Sequence, residues 1–266
     1  MVAGSLAWAF LVRDFRIETS HKAGFAFRVF AGLMGVPIFF FVARAVRGVG
    51  SVEGFGGYFA FVIIGLAATA YMSVGIGTFT GSLRRSQATG ALELMLLSRT
   101  RLSLILFFSS FPGYLLALLS LAGFVAMGAV LGMDLTHANI PAVVASLVIA
   151  TAAFVALGLL AASVIFVTTG GNPVSWVIRA VSILLAGVFY PVSVLPGPLR
   201  VVAEAVPLTH AVELLRRSLL AGDGVTELRH EFLALLVITA ILIPLGLAAC
   251  RLALRAARTD GSLSQR

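Results

Sequence analysis

Six long apolar runs, near residues 25–46, 58–80, 102–133, 140–167, 174–195 and 232–250, leave this chain few ways to fold. A helix needs about 20 predominantly apolar residues to cross a hydrocarbon core, and each run approaches or exceeds that length. Charged residues make up 11% of the 266 positions, against roughly 25% in ordinary soluble domains. In lipid every backbone amide must find its partner within the protein, which restricts spanning structures to helices and closed barrels. Barrel strands alternate apolar and polar residues, and the stretch from Phe59 to Ala70 does not. The predicted fold is an all-α membrane protein with six spans in a single domain covering 1–266.

Prolines should shape several of these spans. The third run would extend roughly 48 Å as one helix, so Pro112 is expected to break or kink it and leave its first turns at the interface. Pro37 and Pro244 are expected kinks in the first and last spans. Gly77–Gly81 and Gly128–Gly132 have the spacing of small residues that let helices approach closely.

Charge sets the orientation. The chain carries 19 Lys and Arg against 11 Asp and Glu, a net charge of +8. With both termini in the cytosol, thirteen of those cations fall on the cytosolic side and six outside. That bias is the positive-inside pattern. It accounts for the basic surplus without nucleic acid, which is not an expected partner.

Between the spans lie segments of distinct character. Residues 1–24 read as an interfacial helix with Trp8, Leu11, Val12 and Phe15 on one face and a charge cluster from Arg13 to Lys22. Residues 84–101 form an amphipathic cytosolic segment. Drawn as a helix, it places Ser86, Thr89, Glu93 and Thr100 on one stripe and Ala88, Ala91 and Met95 opposite. The longest outer connection, 196–231, is too apolar to float in water. It is expected to hold helices over Leu199 to Ala205 and Thr209 to Leu220, dipping into the outer leaflet or packing over the bundle. The second would turn Ala211, Leu214, Leu215 and Leu219 inward, with Arg216 and Arg217 as its basic end and Gly222-Asp223-Gly224 as its stop.

The chain lacks the usual residues of chemistry. A P-loop needs a Gly-Lys pair, and the only lysine is Lys22, between His21 and Ala23. His21, His137, His210 and His230 are far apart, so no metal site is expected. No Gly-x-Ser-x-Gly elbow occurs. No Asp or Glu falls within the six spans, as ion-coupled carriers usually require. Lone Cys250 reads as a small buried hydrophobe. The chain is not expected to be an enzyme or to hold a cofactor, and its energy must come from elsewhere.

Three stretches resemble the permease subunits of ABC-2 type transporters. Phe10-Leu11-Val12-Arg13-Asp14-Phe15-Arg16 is similar to the interfacial helix before that family's first span. Thr89-Gly90-Ala91-Leu92-Glu93-Leu94-Met95-Leu96-Leu97 is similar to its Gly-Thr-Leu-Glu stretch. Phe189-Tyr190-Pro191-Val192-Ser193-Val194-Leu195-Pro196, followed by Val206-Pro207-Leu208-Thr209, is similar to its signature around the fifth span. Ala91, Arg99 and Val206 depart from the usual Thr, Pro and Asn.

The resemblance implies an exporter's membrane subunit in the cell inner or plasma membrane, moving a drug-like, lipid-like or glycoconjugate substrate. It implies two copies of a separate ATP-binding protein, with ATP bound there, and a second permease copy, identical or related. Residues 84–101 would be the coupling helix, with Arg84, Arg85, Thr89, Gly90, Glu93 and Arg99 meeting the ATPase. Phe189, Tyr190, Pro191, Pro196 and Pro207 would belong to an outer gate of re-entrant helices. The competing expectation is a self-sufficient secondary transporter or channel, which would need pore-lining polar groups or internal symmetry.

Overall fold

The computed structural model describes residues 34–45, 57–88, 102–165 and 173–259. The described residues form eight α-helices and no strand. They are α1 (Gly35–Ala45), α2 (Tyr58–Ala88), α3 (Leu102–Val130), α4 (Ile140–Ile165), α5 (Pro173–Leu185), α6 (Gly197–Glu204), α7 (Pro207–Arg216) and α8 (Arg229–Thr259). A 3-10 turn, Val192–Val194, precedes α6, and a π turn, Arg217–Ala221, continues α7. The interfacial helix expected over 1–24 lies outside the described residues.

Four helical stretches are long and apolar enough to cross a membrane: Tyr58–Arg84, Gly113–Val130, Ile140–Ile165 and Arg229–Ala253. The fifth run differs from expectation. A continuous span over 174–195 was predicted, but α5 stops at Leu185 after 13 residues, about 20 Å at helical rise. Gly187 then takes φ +67°, a left-handed conformation that ends helices, and Pro191 caps the 3-10 turn. The apolar run continues past the helix because this turn is buried in protein: Ala186 and Val188 are almost inaccessible. Hydropathy reports burial, not helicity.

Helix α2 is the axis of the molecule. It packs against α3, α4 and α7, and more lightly against α1 and α5. Of its most apolar 18-residue stretch, 72% is buried, against 17% for that of α8, which packs along α4 and turns most of its surface outward. Leu233, Leu236, Val237, Ile241 and Leu245 are exposed there, the composition of a lipid-facing or partner-facing side. Tyr71, Tyr114, Phe79 and Phe154 meet edge to face between α2, α3 and α4. Thr151 donates to its own helix at Leu147 O, so the 2.5 Å contact between the Tyr71 and Thr151 hydroxyls has Tyr71 as donor.

Other hydroxyls in the spans follow the same economy. Thr69 bonds to Gly65 O, Ser146 to Ala142 O and Thr239 to Leu235 O. Each returns to a carbonyl one turn back, which satisfies a polar group in an apolar medium. Cys250 is buried, with its Sγ 3.3 Å from Leu159 O.

Of the expected glycines, Gly128 does approach α2 closely: a Cβ there would fall 3.3 Å from Ile63 Cγ2. Gly132 lies beyond the end of α3 at φ +100°, with no neighbour near its missing side chain, so Gly128–Gly132 is not a helix-packing pair. Gly77 has only Arg179 Nη2 near it, at 4.0 Å. The tighter seams are Gly113, where a Cβ would fall 2.2 Å from Thr78 Oγ1, and Gly158, where it would fall 2.6 Å from the Phe79 ring. Pro37 sits in the first turn of α1, where its missing N–H costs no helical bond. Helix α3 runs through Pro112, and α8 runs through Pro244.

These seams make a paired prediction. Gly158→Ala is expected to lower the stability of the purified chain by about 1–3 kcal/mol, because Phe79 has no space into which to move. Gly77→Ala is expected to be neutral, or to stabilise by up to about 1 kcal/mol through helix propensity. Thermal unfolding in one detergent checks both; equal losses would contradict the assignment of the seams.

Candidate functional site

The end of the molecule where α2 begins is covered by a cap that the sequence builds from proline-started elements. Pro191 precedes the 3-10 turn, Pro196 precedes α6 and Pro207 opens α7. Proline at a helix start carries no orphaned N–H and has its φ already set. The Tyr190 hydroxyl donates back to Leu184 O at the end of α5. Phe189 stacks on Phe39 of α1, ring centroids 5.5 Å apart. The five residues assigned to a gate therefore sit along the chain path from α5 into α6 and α7. None of them is the side chain that binds the cap together.

That side chain is Arg216. It was expected, with Arg217, as the basic end of its helix, yet it is 3% exposed. Its Nε donates to Phe61 O, Nη1 to Gly187 O and Nη2 to Val188 O, each at 3.0 Å. Its guanidinium carbon lies 3.4 Å from the Phe61 ring centroid. One planar cation thus joins α7, the first turns of α2 and the broken turn after α5. The Gly187 and Val188 carbonyls lie beyond the end of α5, where the helix no longer supplies partners. Gly65 provides the space: a Cβ there would sit 2.8 Å from Arg216 Nη2 and from Val188 O. Burial pushes the Arg216 pKa down to about 9, with Glu213 opposing, so the group remains charged at neutral pH. Burial likewise raises Glu213, against Arg216.

A sequence signal for this role exists. Leu208, Val212 and Arg216 are spaced four residues apart, so they share one helix face. Leu208 and Val212 are fully buried, as are the expected Ala211 and Leu214. Arg217, the neighbouring cation, does face outward and pairs with Asp223 Oδ2 through Nε at 2.6 Å. Gly222, at φ +77°, ends the π turn as expected. The turn between α3 and α4 is stapled here: Asn139 N donates to Ser218 O at 2.9 Å, and Asn139 Oδ1 accepts from Ala142 N at the start of α4.

A second polar junction holds α6. His210 Nδ1 is 2.5 Å from Glu231 Oε2 in the first turn of α8, and Nε2 is 2.8 Å from Glu204 O at the end of α6. The sequence reading missed this pairing because the three residues come from three separate helices.

The far end of α2 is basic. Helix α2 continues through the first residues of the predicted coupling segment: Arg84 is exposed, and Arg85 lies in the same last turns. Thr89, Gly90, Glu93 and Arg99 lie outside the described residues. Phe61 and Arg84 are 23 residues apart on one helix, roughly 35 Å. The cap and the basic segment are therefore opposite ends of a single rod.

Arg216→Lys is expected to destabilise the purified chain by about 3 kcal/mol or more, since a lysine cannot reach three carbonyls in one plane. It should also expose 186–206 to limited proteolysis. Arg217→Lys, at a half-exposed pair, should cost about 1 kcal/mol or less. Equal losses in the two variants would contradict the pin assigned to Arg216.

No curated protein matches the chain. The family model for the ABC-2 type transporter matches residues 5–220, from ahead of α1 through the π turn and thus across the rod and most of the cap. With that match and four helical stretches able to cross a membrane, the chain is a multi-pass membrane protein that belongs to the ABC-2 type transporter family, a permease of an ABC-type transporter.

Proposed function

We propose that this permease is the membrane subunit of an exporter, with its cap facing out and both termini in the cytosol. The observation that carries this reading is the division of α2 between a capped end pinned by Arg216 and a basic end at Arg84. Two copies of an ATP-binding protein would engage residues 84–101, with Arg84, Arg85, Thr89, Gly90, Glu93 and Arg99 as contacts. ATP would be bound on those subunits, leaving this chain without a cofactor. Their closure would push α2 as a rod, because Gly113 and Gly158 lock it to α3 and α4. Nucleotide can bias such an element only if it has two arrangements of similar energy.

A second permease, identical or related, would complete the pathway between protomers, and α6 and α7 would re-enter the outer leaflet as its lid. Phe189, Tyr190, Pro191, Pro196 and Pro207 would form the hinge of that lid. The cargo would be amphipathic or apolar, drug-like, lipid-like or a glycoconjugate. Supporting this, Thr69, Ser146 and Thr239 of the described spans direct their hydroxyl protons to carbonyls of their own helices. A self-sufficient carrier is less well supported. Among the described residues the four long apolar stretches hold one carboxylate, Glu231, and it is engaged by His210.

Purification of the tagged chain from its native membrane in mild detergent is expected to bring down a P-loop ATPase in stoichiometric amount. Its absence after cross-linking would favour the carrier reading. Glu93→Arg is expected to reduce that co-purification by about tenfold or more, as charge reversal at an interface does, with membrane insertion unchanged. Undiminished recovery in this variant would remove Glu93 from the interface.

A further inference from the structure

Helix α6 is the lid element held by the fewest bonds. Leu199, Val201 and Val202 are exposed, and Ala203 is its one buried residue. Two side chains from α7 reach its final carbonyls: Thr209 Oγ1 donates to Ala203 O at 2.6 Å, and His210 Nε2 meets Glu204 O at 2.8 Å. The other ring nitrogen of His210 is already engaged by Glu231 of α8 at 2.5 Å. Both partners are acceptors, a carboxylate and a carbonyl. Only the imidazolium, with an N–H on each nitrogen, satisfies both at once. It also places positive charge at the C-terminal end of α6, where a helix favours it.

We propose that His210 is a proton-operated latch that fastens α6 to α7 and α8 when protonated and releases α6 when it loses that proton. The neutral ring would keep Nδ1–H on Glu231, the stronger acceptor. The Nε2 lone pair would then face the Glu204 carbonyl, a repulsive contact, so α6 is the element that lets go. One proton leaves to solvent on the cap side, and no other group changes state.

The charged surroundings favour the closed form. From α6 come Glu204 and Arg200, paired with each other at 3.4 Å. From α8 come Arg229, His230 and Glu231, with His230 largely exposed. Helix α7 itself adds Glu213, Arg216 and Arg217, and the following turn adds Asp223, paired with Arg217, and Glu227. Helix α4 presents no titratable group, α2 only tyrosines until Arg84 at its far end, and α5 only Arg179. Burial disfavours the His210 cation, but the Glu231 hydrogen bond, the Glu204 carbonyl and the charges of both glutamates outweigh it and raise its pKa above the usual 6.5. The latch is therefore complete below about 6.5 and is lost as pH rises through the higher folded value.

The proposal rests on the outward placement of the cap only for which side's pH matters. Hydrogen exchange of residues 197–206, divided by the intrinsic rate at each pH, would be measured on the chain alone in lipid nanodiscs from about pH 5 to about pH 9. The wild type is expected to lose protection of α6 by roughly tenfold across a single step above about pH 6.5. His210→Gln should abolish the step and leave α6 open throughout. Glu231→Gln should move the step to lower pH without removing it. A flat wild-type profile, or the same step in His210→Gln, overturns the latch. In sealed proteoliposomes, a step that answers to pH on the cap side alone supports the outward placement. A step that answers only to pH on the terminal side overturns that placement and leaves the latch standing.

Discussion

A guanidinium buried among three carbonyls at the head of α2 is the constraint around which the cap is arranged. Taking a cation out of water costs several kcal/mol, and that cost is offset only if each guanidinium nitrogen finds an acceptor. Arg216 meets the condition because three otherwise unrelated pieces of chain converge on it. These are the first turns of α2, the broken turn after α5 and the end of α7. Move any one of them and a charge or a carbonyl is left unpaired in an apolar setting. The same requirement fixes neighbouring residues that have no polar role: Gly65 must lack a side chain, Gly187 must turn left-handed, and the Phe61 ring lies beneath the guanidinium.

From that junction the rest of the bundle follows along α2. Its seams with α3 and α4 are glycine against side chain, with hydroxyls turned back on their own helices and one Tyr71–Thr151 bond crossing between α2 and α4. Such a helix moves as a unit or not at all, since packed cores are bistable rather than continuously deformable. The cap is layered differently. Arg216 and the Arg217–Asp223 pair hold α7 and its π turn firmly, whereas α6 hangs on two carbonyl contacts. A rigid rod, a pinned anchor and a loosely held flap suit a gate opened from a distance.

Much of this was legible in the residues, and the failures have physical causes. The apolar runs located the four long membrane helices, and breakers located the two short helices of the cap. The stop at Gly222 and the start of α4 beside Pro141 follow from backbone chemistry alone. The fifth run misled because a buried turn is as apolar as a buried helix, and only Gly187 and Pro191 hint at the break. Arg216 misled because adjacent arginines look like a surface pair. Its spacing from Leu208 and Val212 was the clue, but its carbonyl partners lie 28 to 155 residues away. The His210–Glu231–Glu204 junction left no local trace, because it exists only once α6, α7 and α8 are assembled.

The account stands on the cap facing away from the cytosol, opposite the basic end of α2. Thr226 lies exposed in the turn before α8 and reports on that placement. A single cysteine at this position, Thr226→Cys with Cys250→Ser, would be treated in intact cells with a membrane-impermeant maleimide. The account predicts full labelling from outside, with none added after permeabilisation. Labelling that requires permeabilisation would put the cap in the cytosol and contradict it.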